Sequence, residues 1–165
     1  PDTVTFAATG EAWGVDYRHA PGRGVRVRED PAAGTLVAAG DVADADACLR
    51  ALRRWLDRAA AERLGAVLAE ESARLALPYV SARFRRMRTR WGTCSRAGAI
   101  TLNPLLLFRT PERARCTVVH ELVHTLRHDH SPHFRAELER RFPGAAAVER
   151  AGRHDMREVP PWAVP

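Results

Sequence analysis

The stretch Cys116–Phe134, CTVVHELVHTLRHDHSPHF, holds five of the chain's seven histidines: His120, His124, His128, His130 and His133. Its first half reads as the end of a helix and its second half as a break followed by a new helix. Thr110 is a good N-cap and Pro111 suits the first helical position, so a helix is predicted to start at TPER and to run to about Arg127 or His128. Pro132 biases Ser131 away from helical angles, which ends that helix at DHSP. Ser131 can then cap PHFRAELERRF, with Phe134, Leu138 and Phe142 on one side, until Pro143 and Gly144 stop it.

Within the first helix lies His120-Glu121-Leu122-Val123-His124. Residues four apart share a face, about 6 Å along the axis. Two imidazoles there can converge on one metal ion at roughly 2.0–2.1 Å each. The apolar stripe of this helix is Ala114, Val118, Val119, Leu122, Val123 and Leu126, and both histidines fall beside it, which argues against a pair of core histidines. Glu121 is off the pair but near enough to take a proton from a metal-bound water.

A catalytic zinc usually takes three protein ligands. His128 would stand about 12 Å from His120 along a straight helix, too far to share an ion, so it reads as solvent-facing near the helix C-terminus, where positive charge is favoured. The third ligand must come from chain that has turned back. That leaves His130 and His133; the position of His130 inside the break favours it. Glu137 and Glu139 stand as outside options. Cys116 reads as a small buried hydrophobe, not a ligand.

Upstream, residues 3 to 40 show short strands, TVTFAA, GVDYRH, GVRVRE and TLVAAG, separated by turns such as APGRG and DPAAG. A long helix follows, capped by Asp44 or Asp46, with Leu49, Leu52, Trp55, Leu56, Leu64, Leu68 and Leu75 at helical spacing. Pro78 ends it and Gly65 marks a potential break. VSARFRRMRTRW and AITLN then read as strands joined by the turn SRAG. The fold class is α+β. Residues 1–43 form a β-rich segment of the same domain as a helical, catalytic core at 44–150, and 151–165 form a Pro-rich irregular tail.

The formal net charge is +6, and every one of the 26 basic residues is Arg. The absence of Lys fits GC-rich coding, so placement says more than the total. Between Ser72 and Pro111 there are eight Arg and no acid. The Arg83–Arg96 part of that stretch is either a solvated basic strand or a surface for an anionic partner. No apolar run approaches the roughly 20 residues needed to span a bilayer. Three scattered cysteines without paired spacing argue against a disulfide framework and point to a reducing, cytoplasmic setting.

MRTRWGTCS, ITLNPLLL, VVHELVH and HSPHF, in this order, resemble the YgjP-like metallopeptidase domain, a relative of the SprT-like zinc proteases in the zincin group. The resemblance covers roughly Tyr79 to Pro143. It implies a compact zincin-like domain in which a small mixed or antiparallel sheet packs on the long helix and the HExxH helix. It also implies one Zn2+ per chain, held by His120, His124 and His130, with Glu121 as catalytic base and a peptide or protein as substrate. Thr93 stands where the family usually has Ser, and Cys116 where relatives often carry an aromatic residue. A strand around Trp91–Cys94 would form the rim of the cleft, and Tyr79 or an arginine could stabilise an oxyanion. Asn103 would cap a turn before Pro104 or orient the site. Rival readings keep the metal but cut a phosphoanhydride, place the domain near nucleic acid, or use zinc for stability alone.

Overall fold

The computed structural model describes residues 1–22, 24–152 and 156–164. Its backbone is organised on α1, Ala45–Leu75, a helix of 31 residues. Asp44 caps it by accepting from the Ala47 amide at 2.8 Å. The helix stops at Ala76, which adopts a left-handed conformation (φ 53°), and Leu77 N–H closes back on the Ser72 carbonyl at 3.0 Å. This closure takes up the last free carbonyls before Pro78 is reached. Gly65 does not break the helix. A Cβ there would stand 3.6 Å from the Phe84 ring, so the glycine lies where a neighbouring strand packs closely. Leu52, Leu56, Leu64 and Leu68 are fully buried along the predicted stripe.

The N-terminal strands β1 (Thr3–Phe6), β2 (Glu11–His19), β3 (Val25–Asp30) and β4 (Thr35–Gly40) make one mixed sheet in the order β1-β2-β4-β3. Strands β2 and β4 are parallel; the other pairs are antiparallel. Val25 and Val27 are buried while Arg26 and Arg28 are exposed, the alternation a one-sided sheet requires. Phe6 stacks on Trp55 of α1 with ring centroids 5.3 Å apart. Arg63 of α1 bridges Glu11 (2.7 Å) and Glu29 (3.0 Å), tying the helix to two strands. Arg54 and Arg58 donate to the Val25 and Val27 carbonyls, each at 3.3 Å.

The second sheet corrects the sequence reading of the next segment. Val80–Trp91 is not one strand. Only β5, Ser81–Phe84, is extended, and it pairs in parallel with β7, Ala99–Leu102. The true hairpin partner of β7 is β6, Gly92–Cys94, joined through the Ser95–Gly98 turn. The physical reason lies in the residues after Phe84. Arg85 and Arg86 in succession break the two-residue alternation, and the loop they begin is held by side chains instead of a ladder. Asn103 donates to the Met87 and Arg90 carbonyls at 2.9 and 3.0 Å and accepts from the Leu105 amide at 3.2 Å. It therefore both caps the 3-10 turn at Pro104–Phe108 and pins the arginine loop.

Three further helices follow: α2 (Pro111–Val123), α3 (Pro132–Arg141) and α4 (Ala145–Gly152). Thr110 and Ser131 cap α2 and α3 as expected. Helix α2 ends at Val123, earlier than predicted, because the next residues tighten into a turn: Thr125 and Leu126 donate to carbonyls three residues back. Helix α4 was not expected from the sequence. Beyond it, the described residues 156–164 of the Pro-rich tail include a 3-10 turn at Pro161–Ala163 and pack back on the core. Arg53 donates to the Trp162 and Val164 carbonyls at 2.7 and 2.8 Å, and Trp162 meets Phe108 edge-on. Among the described residues no helix is long and apolar enough to cross a membrane.

Candidate metal centre

Helix α2 is fixed against α1 by a buried carboxylate. Glu71 of α1 is 1 % exposed and receives Arg115 of α2 and Arg74 of its own helix, both at 2.5 Å. Burial alone would raise the Glu71 pKa, but the two guanidinium hydrogen bonds outweigh it and hold the carboxyl below its usual range. This anchor presents His120, Glu121 and His124 to one side of the second sheet.

The side-chain nitrogens of His120, His124 and His130 gather within 4.8 Å of one another. His120 Nε2 lies 3.0 Å from His124 Nε2 and 3.2 Å from His130 Nε2. Two nitrogens each about 2.1 Å from a tetrahedral ion would stand roughly 3.4 Å apart, so the separations fit a shared cation with small adjustment. Each Nε2 is free to be a ligand where the other ring nitrogen is engaged. His124 Nδ1 donates to the Arg127 carbonyl at 2.8 Å. His120 Nδ1 donates to Glu149 Oε1 at 2.6 Å. Burial, reinforced by the neighbouring imidazoles, pushes His124 down to about 4, which leaves it neutral at pH 7.

Phe134 sets the rings in place. It is 1 % exposed, and its ring centroid lies 4.4 Å from His124, 4.9 Å from His120 and 5.0 Å from His130. Ser131 positions it by accepting from the Phe134 amide, and Asp129 accepts from the Ser131 amide. The HSPHF segment thus carries a ligand candidate, a cap and a packing hub in five residues.

Glu121 is 5 % exposed. Burial raises its pKa to about 7; His120 and Arg90 oppose the rise and Glu149 adds to it. Among the described residues its Oε2 is buried with no hydrogen-bond partner. An orphaned acceptor of this kind beside three converging imidazoles fits a centre built for a cation and a polar reactant. Gly92 makes room for it. A Cβ at that position would sit 2.6 Å from Glu121 Cγ and Oε1.

The other candidates lie elsewhere. His128 and His133 are exposed and stand outside the cluster. Glu137 pairs with Arg140 and Arg141, and Glu139 accepts from the Gly144 and Ala146 amides at the start of α4. Cys116 is buried, its thiol pushed up to about 12 by desolvation. Trp91 and Gly92 line the cleft, as do four arginines; Tyr79 does not and packs against the core. The residue that sequence reasoning missed is Glu149. Its helix was not anticipated, and 29 residues separate it from His120.

His120 and His124 on α2, with His130 returned by the following turn, form on this α+β scaffold a group that could hold a metal ion. The chain belongs to the YgjP-like metallopeptidase domain family, whose family model matches residues 4–151. Among solved structures, the chain is similar to the crystal structure of the metallopeptidase zymogen of Pyrococcus abyssi abylysin. The two are 28 % identical over 53 % of this chain and 90 % of that one, with a TM-score of 0.47. No curated protein matches the chain.

Proposed function

We propose that the chain is a zinc-dependent metallopeptidase in which His120, His124 and His130 hold one zinc and Glu121 is the general base. The observation that carries this reading is the gathering of three imidazole nitrogens beside a buried carboxylate oxygen that has no partner. Three imidazole nitrogen donors with an open side match a catalytic zinc site. Bound there, zinc would polarise the scissile carbonyl and make water acidic enough to lose a proton near neutrality.

The remaining roles belong to the chain's own side chains. Glu121 takes a proton from the water that attacks the peptide carbonyl and returns it to the leaving amine as the carbon–nitrogen bond breaks. Its position against Gly92 keeps the carboxylate aimed into the cleft. Glu149 holds the His120 ring and fixes its tautomer; the Arg127 carbonyl does the same for His124. Phe134 keeps water from the back of the triad.

The test is metal analysis of the purified chain together with peptide hydrolysis by the native protein and Glu121→Gln. Stoichiometric zinc, and a fall of about 1,000-fold or more in kcat for the variant, are expected. A chain without zinc, or a Glu121→Gln variant as active as the native protein, overturns the proposal.

A further inference from the structure

The cleft beside the triad is a cavity of about 490 Å3. Arg90, Arg109, Arg113 and Arg135 all reach its wall. Two of these share one acid, Glu158. Arg109 meets Glu158 at 2.9 Å and Arg113 meets it at 2.5 Å. Arg90 and Arg135 are exposed and form no ion pair among the described residues. They enter from two different elements: the loop that leads into β6, and the first turn of α3. Of the acids that line the cleft, Glu149 is bonded to His120, and Glu121 feels the Arg90 charge without forming an ion pair with it.

Guanidinium groups left unpaired at the edge of a cavity favour an anion, and their planar fork matches a carboxylate. We propose that Arg90 and Arg135 form a carboxylate-recognising subsite, so that the chain prefers peptides carrying a carboxylate next to the bond that is cut. This rests on the peptidase reading. The carboxylate can come from an Asp or Glu side chain or from a free C-terminus. Nucleic acid is a poorer match. Phosphate-backbone binding needs a stripe of many cations on an open face, whereas these two arginines serve one concave site.

The test uses the full zinc-loaded chain and fluorescein-labelled decapeptides that differ only in Glu, Gln or Lys at one position, scanned along the peptide, each with a free or an amidated C-terminus. Binding to Glu121→Gln is read by anisotropy, and kcat/KM is read on the native protein. Glu over Gln by roughly 10- to 100-fold is expected, as for a charge-assisted hydrogen bond in a cleft. The preference should fall to within about threefold on adding Arg90→Gln and Arg135→Gln, and should turn toward Lys with Arg90→Glu and Arg135→Glu. A preference that follows the side chain assigns an acidic residue; one that follows the free C-terminus assigns end recognition. Equal binding of Glu, Gln and Lys peptides, or a preference untouched by the arginine variants, overturns the subsite. So does tighter binding of a fluorescein-labelled 20-nucleotide single strand through the same two arginines. An acidic preference in binding with no cleavage of any peptide supports the subsite and overturns the peptidase reading instead.

Discussion

Replacing Gly92 by Ala should disable the proposed base without removing it. The new Cβ would lie 2.6 Å from Glu121 Cγ and Oε1 and 2.9 Å from Cδ. Ordinary contacts between such atoms are about 3.5 Å or more, so Glu121 must retreat by about 1 Å. Strand β6 cannot easily give way in its place, because Gly92 is paired in register with Leu102 of β7. Nor does the substitution strain the backbone, since Gly92 is not among the glycines with positive φ. A displacement of this size costs about 100-fold in rate when the group must meet a reacting atom. We therefore expect kcat/KM of Gly92→Ala to fall about 100-fold. Zinc affinity should stay within about threefold, because none of the three histidines is touched, and the melting temperature should move by only a few degrees. Gly14→Ala is the control: its Cβ would meet Thr35 at an ordinary 3.6 Å. Peptide hydrolysis, chelator competition and thermal unfolding measure the three quantities. Activity of Gly92→Ala within about threefold of the native protein would refute the reasoning, as would a loss of zinc that accounts for the fall.

Glu149→Gln should weaken zinc binding by roughly 10- to 100-fold in a chelator competition, because the partner that orients His120 loses its charge; unchanged affinity would show that Glu149 does not tune the site. Glu71→Gln should lose about 1–2 kcal/mol at pH 7, measured by urea unfolding. The folded Glu71 pKa lies below its unfolded value, so its contribution is present above about pH 4.3 and is lost as pH falls through the folded value; the gap between native and variant should close in that acid range and not on the alkaline side. Asn103→Ala removes three hydrogen bonds at a site 2 % exposed and should destabilise by about 1–3 kcal/mol. It should also loosen the loop bearing Arg90, visible as faster amide exchange over residues 85–91.

What the sequence made legible was mostly local. Thr110 and Ser131 cap helices through hydrogen bonds to residues three positions on, and such signals need no knowledge of the fold. The juxtaposition of His120, His124 and His130 was readable because two lie a helical turn apart and the third sits directly after the break that Pro132 enforces. Glu149 was not legible, since its place depends on where a short helix docks after Gly144, and nothing in AAAVERAG encodes a partner far away in sequence. The parallel pairing of β5 with β7 was missed for a similar reason. Adjacent strands with a turn between them suggest a hairpin, and only the consecutive arginines after Phe84 hint that the outer arm ends early. Gly65 was misread because a glycine in a helix looks like a break until the ring packed over it is known.

The contacts from Arg54 and Arg58 to β3 have a consequence for how the molecule behaves in a crowd. The Asp41 amide bonds to the Gly24 carbonyl, so in the antiparallel pairing with β4 the Val25 and Val27 carbonyls face outward, on the last strand of the sheet. An unguarded row of this kind is a template onto which another chain can add. Residues four apart on a helix rise about 6 Å and residues two apart on a strand about 6.7 Å, so two consecutive arginine teeth on α1 mesh with two consecutive outward carbonyls. The helix acts as a zip fastener along the open seam of the sheet, and the same arginine-rich coding that inflates the charge of the chain provides its teeth.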